Sequence, residues 1–203
     1  MSSTAAQSGH AHEVAWPPDD QYGTATPAKI GMWIFLISDA FSFAGLLIGY
    51  GILRAGHPVW RQPAEPALGV NFTAGLTFLL ICSSVTNVLG YAAAVEGKRR
   101  QAEVLLAATA LLGAAFLLGQ YREYSGLLRE GLVFGQSARA SIFYVITSFH
   151  GLHVFIGVVY ILAVLRAYAR GRAGPRQIEL LGLFWCFVDF VWIFVFSSLY
   201  LIP

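Results

Sequence analysis

The chain has 203 residues, of which 57% are hydrophobic and 12% are charged. Soluble domains carry about 25% charged residues, so this composition excludes an ordinary soluble domain. The formal net charge of +2 also gives no strongly basic surface, and we expect no nucleic-acid partner.

Five long apolar segments are separated by connections that carry the charge. A helix that crosses a bilayer needs roughly 20 mostly apolar residues, and five segments meet or approach that length, of which the third is the shortest. All eight prolines lie outside them, as uninterrupted helices require. The sequence predicts an all-α integral membrane protein, a bundle of five transmembrane helices at Ile30–Leu53, Val70–Val95, Val104–Gln120, Ala140–Leu165 and Leu180–Ile202.

The residues before the first segment differ from the rest in composition. They include Glu13, Asp19 and Asp20 and several prolines, and they lack the apolar core of a signal peptide. We therefore expect residues 1–28 to form a flexible tail, and residues 29–203 to form the five-helix domain.

The Lys and Arg residues divide unevenly between the two sides of such a bundle. Cytoplasmic loops are enriched in these residues, so the richer side is expected to face inward. Eight lie on the N-terminal side and five on the other, which predicts the N-terminus inside and the C-terminus outside. The eight are Lys29, Lys98, Arg99, Arg100, Arg166, Arg170, Arg172 and Arg176, and the five are Arg54, Arg61, Arg122, Arg129 and Arg139.

Two acids, Asp39 and Asp189, stand well inside predicted membrane segments. A central Asp costs roughly 2.5–3.5 kcal/mol even on lenient insertion scales, so each is a functional candidate. Each acid has two interpretations: a protonated carboxyl that donates one hydrogen bond to a neighbouring helix, or a group that passes protons. The sequence leaves both open.

The fourth segment holds His150 and His153, which are three residues apart and therefore share a helix face. A metal site would need a third and a fourth ligand, and the other histidines lie in the tail or a connection. We expect no metal here, and instead neutral histidines that hydrogen-bond across helices to Asp39 or Asp189.

Two further features concern packing and the membrane surface. Gly45 and Gly49 form a small-xxx-small pair, which is typical of closely packed transmembrane helices.

Arg166 ends the fourth segment on the predicted inner side. It is interpreted either as a ligand of a phospholipid headgroup or as a simple topology anchor.

Four motifs follow one another along the chain: Lys29–Asp39, Gly119–Tyr124 with its Gln-x-x-Glu-Tyr pattern, Phe149–Val154 with Phe-His-Gly-Leu-His-Val, and Phe184–Trp192 with Phe-Val-Asp-x-x-Trp. Each alone is a weak signal. Together, in this order, they resemble subunit III of the heme–copper terminal oxidases (cytochrome c and quinol oxidases), in the short five-helix form.

The resemblance implies a non-catalytic, multi-pass subunit of the bacterial inner membrane. Heme and copper would lie on partner subunits, with none on this chain. The chain would pack mainly on subunit I, beside other subunits including subunit II. It would hold phospholipids in a cleft between its first two helices and its last three, and it would support proton uptake and sustained turnover.

The resemblance also assigns roles to individual residues. Asp39 falls where many members carry a glutamate near the lipid cleft and the proton route, and Arg166 falls where members hold a lipid phosphate. An interhelical polar network is expected at His150, His153, Asp189 and Glu123, and helix packing at Gly45, Gly49, Trp185 and Trp192.

The chain departs from the family pattern at Cys186, Tyr91 and Ala92, where many members carry histidines. Contacts made by those histidines are therefore not carried over. Three alternatives remain at the level of the sequence: a family member attached to a nitric oxide reductase, an independent membrane transporter, and an enzyme with its own site at His150, His153 and Asp39.

Overall fold

A computed structural model describes residues 26–57, 60, 65–66 and 68–202. Its helices are α1 (Pro27–Gly56), α2 (Val70–Val95), α3 (Arg99–Arg129), α4 (Ala138–Ala169) and α5 (Pro175–Phe196), and α5 runs into one π-helical turn at Ser197–Leu201. All five helices are long and apolar enough to cross a membrane. The predicted flexible tail lies almost wholly outside the described residues, and the direction of insertion stays a prediction.

Capping side chains or prolines begin three of the helices, α1, α4 and α5. The hydroxyl of Thr26 accepts a hydrogen bond from the Lys29 amide at 3.4 Å, and that of Ser137 accepts one from the Ala140 amide at 3.0 Å. These bonds satisfy amides that have no partner within the helix. Pro27 and Pro175 occupy the first positions of α1 and α5, where a missing N–H costs nothing.

Glycines in the left-handed region end three of the helices. Gly97, Gly131 and Gly171 follow α2, α3 and α4 with φ angles of +75°, +91° and +70°. Glycine adopts this conformation without the steric cost that a Cβ would impose. After α2, the Lys98 amide returns to the Ala93 carbonyl at 2.9 Å, so the chain reverses within a few residues.

The helices divide into a bundle of four and one peripheral helix. Helix α2 packs against α3 and α5, and α4 packs against the same two, so α2 to α5 close into a four-helix bundle. Helix α1 lies outside it, against α4 and α5. Of the 18-residue apolar stretch in the last span, half is buried inside the protein. The corresponding share in α1 is 11%.

The centre of the bundle is filled by Trp185 of α5, which is 1% exposed. The backbones of Gly113 in α3 and Gly157 in α4 approach its ring, and a Cβ there would lie 2.6 Å or 2.7 Å from ring atoms. The indole N–H donates to Ser83 Oγ of α2 at 2.9 Å. Trp185 therefore contacts all three other helices of the bundle.

Among the residues that the structure describes, none packs closely against Gly45 or Gly49. A Cβ at either position would meet nothing within 4 Å, because this face of α1 turns away from α4 and α5. Glycines that are closely approached by side chains of other helices lie in the four-helix bundle. At Gly119 a Cβ would meet Leu76, and at Gly151 it would meet Gln120 at 2.7 Å.

The third helix is longer than its apolar run predicts. It extends from Arg99 to Arg129, whereas the sequence predicted Val104–Gln120. Charged residues at both ends continue the helix beyond the hydrocarbon, where long side chains reach polar partners. At the start of α3, the Arg99 guanidinium donates to the Tyr168 and Ala169 carbonyls that end α4.

Candidate functional site

The acid of α1 contacts a histidine of α4 in the interior of the protein. Asp39 Oδ1 lies 3.2 Å from His153 Nε2, and both side chains are about nine-tenths buried. His153 Nδ1 lies 2.8 Å from the Phe149 carbonyl, which only accepts, so Nδ1 carries a hydrogen. A hydrogen bond between Asp39 and His153 requires one further proton, and with that proton the pair as a whole is neutral. A neutral pair avoids the cost of an isolated charge in hydrocarbon.

His150 lies one turn before His153 but does not join this pair. It is fully buried, and neither ring nitrogen has a hydrogen-bond partner among the described residues. Its ring stacks on Trp192 at 4.7 Å between centroids, and the edge of Phe116 is nearby. The interhelical hydrogen bond expected of His150 is therefore not formed, because aromatic rings surround the imidazole.

Asp189 and Glu123 make separate contacts with small hydroxyl side chains. Asp189 Oδ2 of α5 accepts from Ser84 of α2 at 2.7 Å. Glu123 of α3 accepts from Thr73 of α2 at 2.8 Å and from Tyr200 of the π-helical turn at 3.1 Å. The four residues expected to form one polar network thus divide among distinct sites, since none of these contacts is shared.

Sequence reasoning missed the partners of these acids. Thr73, Ser84 and Tyr200 are common residues in membrane helices, and no spacing in the sequence marks them as ligands of a carboxyl. It also missed the ion pair between Glu65 and Arg139. Arg139 lies at the start of α4, and its guanidinium is 2.9 Å from the Glu65 carboxylate. A single hydrogen bond from a hydroxyl on one helix to an acid on another produces no recognisable spacing in the sequence.

The remaining predicted residues are placed as follows. Arg166 is exposed in the last turn of α4, with no hydrogen bond or ion pair to another described residue. Trp192 is buried in the bundle and donates to Thr77 Oγ1 at 2.9 Å. In the described part of the chain, no three His, Cys, Asp or Glu residues lie close enough to hold a metal ion.

An open groove of about 510 Å³ runs between α1, α2 and α5. Trp33 and Ile37 line it from α1, Val88 from α2, and Phe187 and Phe190 from α5. The walls are almost entirely apolar, and pockets of this volume are typical of small-molecule sites. The groove opens toward the region that lipid would occupy around a membrane-spanning bundle.

The position of this groove differs from the cleft that the resemblance implies. Helices α1 and α2 stand on opposite sides of it, with α5 between them, so it does not separate the first two helices from the last three. The packing explains the difference, since α2 belongs to the four-helix bundle while α1 does not. Asp39 does not line the groove; its carboxyl turns toward α4.

Comparison with known proteins covers nearly the whole chain. Residues 19–202 match the family described as Cytochrome c oxidase subunit III. Subunit 3 of the cytochrome bo(3) ubiquinol oxidase of Pseudomonas aeruginosa is 33% identical, over 98% of each chain. Cytochrome c oxidase subunit 3 of Thermostichus vulcanus is 35% identical, over 98% of this chain and 94% of that one. The Corynebacterium diphtheriae cytochrome c oxidase subunit 3 is also 35% identical, over 86% and 87%.

These relatives include subunits of both a quinol oxidase and cytochrome c oxidases, at similar identity. The five apolar helices agree with a multi-pass membrane protein of the same kind. The four motifs, the helices and the near full-length matches lead to one conclusion: this chain belongs to the cytochrome c oxidase subunit III family.

Proposed function

We propose that this chain is the non-catalytic subunit III of a heme–copper respiratory oxidase in a bacterial inner membrane. That complex would reduce oxygen to water and pump protons, with heme and copper on partner subunits. The match to oxidase subunits over 98% of the chain carries the proposal. Both kinds of relative support an accessory role in an oxidase, whichever molecule donates the electrons.

The main partner in this proposal is subunit I, with subunit II in the same complex. The open face of α1 supports such a contact, because a Cβ at Gly45 or Gly49 would meet no described residue within 4 Å. Small residues let the backbones of two membrane helices approach closely. We place a helix of subunit I on this face, where it would complete the packing of α1.

Phospholipid binding and support of proton uptake are the further parts of the proposal. Arg166, exposed at the end of α4, has the charge and the depth to bind a lipid phosphate. The Asp39–His153 pair holds one proton inside the membrane region and lies between α1 and the bundle. With subunit I on the open face of α1, this pair lies on the other side of the same helix, and it would support proton uptake from within this subunit.

The test is purification of the chain with its natural partners in mild detergent. We expect a reduced-minus-oxidised spectrum with heme bands, copper in the complex, and neither metal nor heme on this chain once it is separated. Partners with nonheme iron and no copper would instead identify a nitric oxide reductase. A chain that purifies alone and colourless would refute the assignment, and transport by the purified chain in liposomes would then be measured.

A further inference from the structure

The groove between α1, α2 and α5 contains a hydrogen-bond acceptor that the fold does not use. Asn87 of α2 lines the groove, and it is 1% exposed. Its carbonyl oxygen Oδ1 is buried without a hydrogen-bond donor among the described residues. A buried polar atom without a partner is costly, and such atoms in folded proteins normally have one. A molecule bound in the groove can supply the missing donor.

A second acceptor lies one helical turn nearer the mouth of the groove. Glu179 lines the groove near the start of α5 and forms an ion pair with Lys29 of α1. Both side chains are about one-third exposed, so this end is the polar mouth. Gly182 faces Asn87, since a Cβ there would lie 3.2 Å from Nδ2. Because Gly182 follows Glu179 by three residues, the two acceptors differ in depth by about 4.5 Å.

Aromatic side chains line the groove at the depth of these acceptors. On α1, Trp33 lies one turn beyond Lys29, about 6 Å deeper than the charged mouth. Helix α2 runs in the opposite direction, so Tyr91 lies about 6 Å nearer the mouth than Asn87. Aromatic rings pack favourably against one another, so these walls suit a ligand with a flat ring.

Beyond the acceptors the groove continues between apolar side chains. Ile37 of α1 and Phe187 and Phe190 of α5 line this part. Phe190 follows Glu179 by eleven residues, which is roughly 16 Å along the helix. A ligand with its ring beside Asn87 would therefore extend an apolar tail along α5.

The depth of Asn87 restricts the donor that the ligand brings. The ester carbonyls of a phospholipid only accept hydrogen bonds, so they leave Oδ1 without a partner. A charged donor would have to leave water to reach an apolar groove, at a high cost in free energy. The site therefore suits a neutral hydroxyl on an otherwise apolar molecule, and a ring with two hydroxyls would serve both acceptors.

We propose that this groove binds an isoprenoid quinol in its reduced form. One ring hydroxyl donates to Asn87 Oδ1, the other donates to the Glu179 carboxylate, and the tail lies along α5. A carboxylate has several lone pairs, so Glu179 can accept this bond while it remains paired with Lys29. The two hydroxyls lie on opposite edges of one ring, which is a separation similar to the helical turn between the acceptors.

The same contacts make the site selective for the oxidation state of the ligand. A quinone has carbonyl oxygens in place of both hydroxyls, so it would place acceptors against the acceptors of Asn87 and Glu179. The proposal concerns binding alone and includes no electron transfer in the groove. It rests on the proposed function in one respect, since a respiratory membrane is what supplies the quinol.

The experiment uses the intact oxidase complex in nanodiscs of a single phospholipid, without oxygen. The probe is a quinol that carries a photoactivatable diazirine on its isoprenoid tail. Peptide mapping after illumination counts only cross-links on this chain, which we expect on α1, α2 and α5 along the groove. Unlabelled quinol then competes against its dimethyl ether, which keeps the ring and the tail and lacks both donors. Two hydrogen bonds inside a membrane protein predict that the quinol competes roughly five- to fiftyfold better.

Two variants of the complex sharpen this test. Asn87→Leu keeps the volume and removes the acceptor, and it should reduce the preference for the quinol over its ether roughly threefold or more. Asn71→Leu is the matched control. It makes the same change on the same helix, at an exposed position that does not line the groove, and it should leave the preference intact.

Equal competition by the quinol and its dimethyl ether in the unmodified complex would overturn the proposal, and this result does not depend on any variant folding. Cross-links on this chain that lie outside the groove would overturn the site. Stronger competition by a long-chain alcohol than by the quinol would overturn the choice of a ring. Labelling by the oxidised probe that equals labelling by the reduced probe would overturn the selectivity. A complex without heme and copper would refute the proposed function instead.

Discussion

The four-helix bundle α2–α5 and the peripheral helix α1 are held in different ways. The bundle is closed on itself around Trp185, whose ring fills the space left by two glycines. Helix α1 is joined to the bundle both by apolar packing, such as Phe43 against Phe149 of α4 at 4.9 Å between ring centroids, and by polar contacts along its length: Lys29 with Glu179, Asp39 with His153, and Tyr50 with the Ser198 carbonyl at 3.0 Å. The bundle thus closes on itself, whereas α1 packs against one side of it, on α4 and α5.

The largest expected effect comes from the centre of the bundle. Trp185→Ala removes a fully buried ring and the hydrogen bond to Ser83, and we expect it to destabilise the subunit by about 3–5 kcal/mol. Thermal unfolding of the purified complex in detergent, followed through this subunit, measures the loss. Phe194→Ala on the same helix is the control, since that ring is 49% exposed and should cost far less. Equal effects of the two changes would contradict the closed bundle.

A bulky residue on the open face of α1 should separate folding from assembly. A Cβ at Gly45 meets no described atom within 4 Å, so we expect Gly45→Leu to leave the stability of the isolated subunit nearly unchanged. Overpacking against a helix of subunit I would cost about 1–3 kcal/mol, or roughly five- to 150-fold in the association constant. The measurement is the amount of subunit I that copurifies. Ala44→Leu, on a neighbouring face of α1, is the matched control, and unchanged copurification with Gly45→Leu would refute the contact.

Removal of the acid of α1 should loosen that helix and impair sustained activity. Asp39→Ala leaves His153 Nε2 buried without its partner, and we expect a loss of about 1–2 kcal/mol in stability. Slower proton uptake and a shorter lifetime during turnover should accompany it. Asp189→Ala is the control, because it removes an equally buried acid that contacts α2 and not α1. If lipid content, proton uptake and turnover lifetime all stay unchanged in Asp39→Ala, the proposed role of Asp39 is wrong.

The smallest expected effect is at the other buried histidine. His150→Phe replaces a ring that makes no hydrogen bond to the described residues with another planar ring that can stack on Trp192. Replacement of an unpartnered polar group by an apolar one of similar shape is nearly neutral, so we expect a change below about 1 kcal/mol. Unfolding measurements and oxidase activity check this. A loss as large as that of Asp39→Ala would show that His150 has a polar partner in the assembled complex.

The sequence predicted the five membrane helices because length and hydropathy are local properties of a segment. It did not predict that α1 lies apart from the other four, since which helices become neighbours depends on the fit of side chains such as Trp185 against Gly157. The ends of α3 were also missed, because charged residues continue a helix beyond the hydrocarbon without any apolar signal.

Within the candidate site, the sequence identified the buried acids and histidines by their cost in lipid. It named Asp39 and Asp189 as possible partners of the two histidines, and the contact found is the one between Asp39 and His153. The sequence did not identify the hydroxyl groups that hydrogen-bond to Asp189 and Glu123, because Ser and Thr are ordinary residues of membrane helices. The sequence also did not reveal that Asn87 Oδ1 is buried without a hydrogen-bond partner among the described residues, because this depends on the packing of neighbouring helices.

The position of α1 has a consequence for how the protein is made. Helix α1 leaves the ribosome first, yet its contacts are with α4 and α5, which leave last. His153 follows Asp39 by 114 positions, which take roughly 6 to 23 seconds to synthesise at about 5–20 residues per second. During that interval a membrane-inserted carboxyl waits without its histidine. Until α4 is inserted, the Asp39 carboxyl therefore needs a hydrogen-bond partner other than His153.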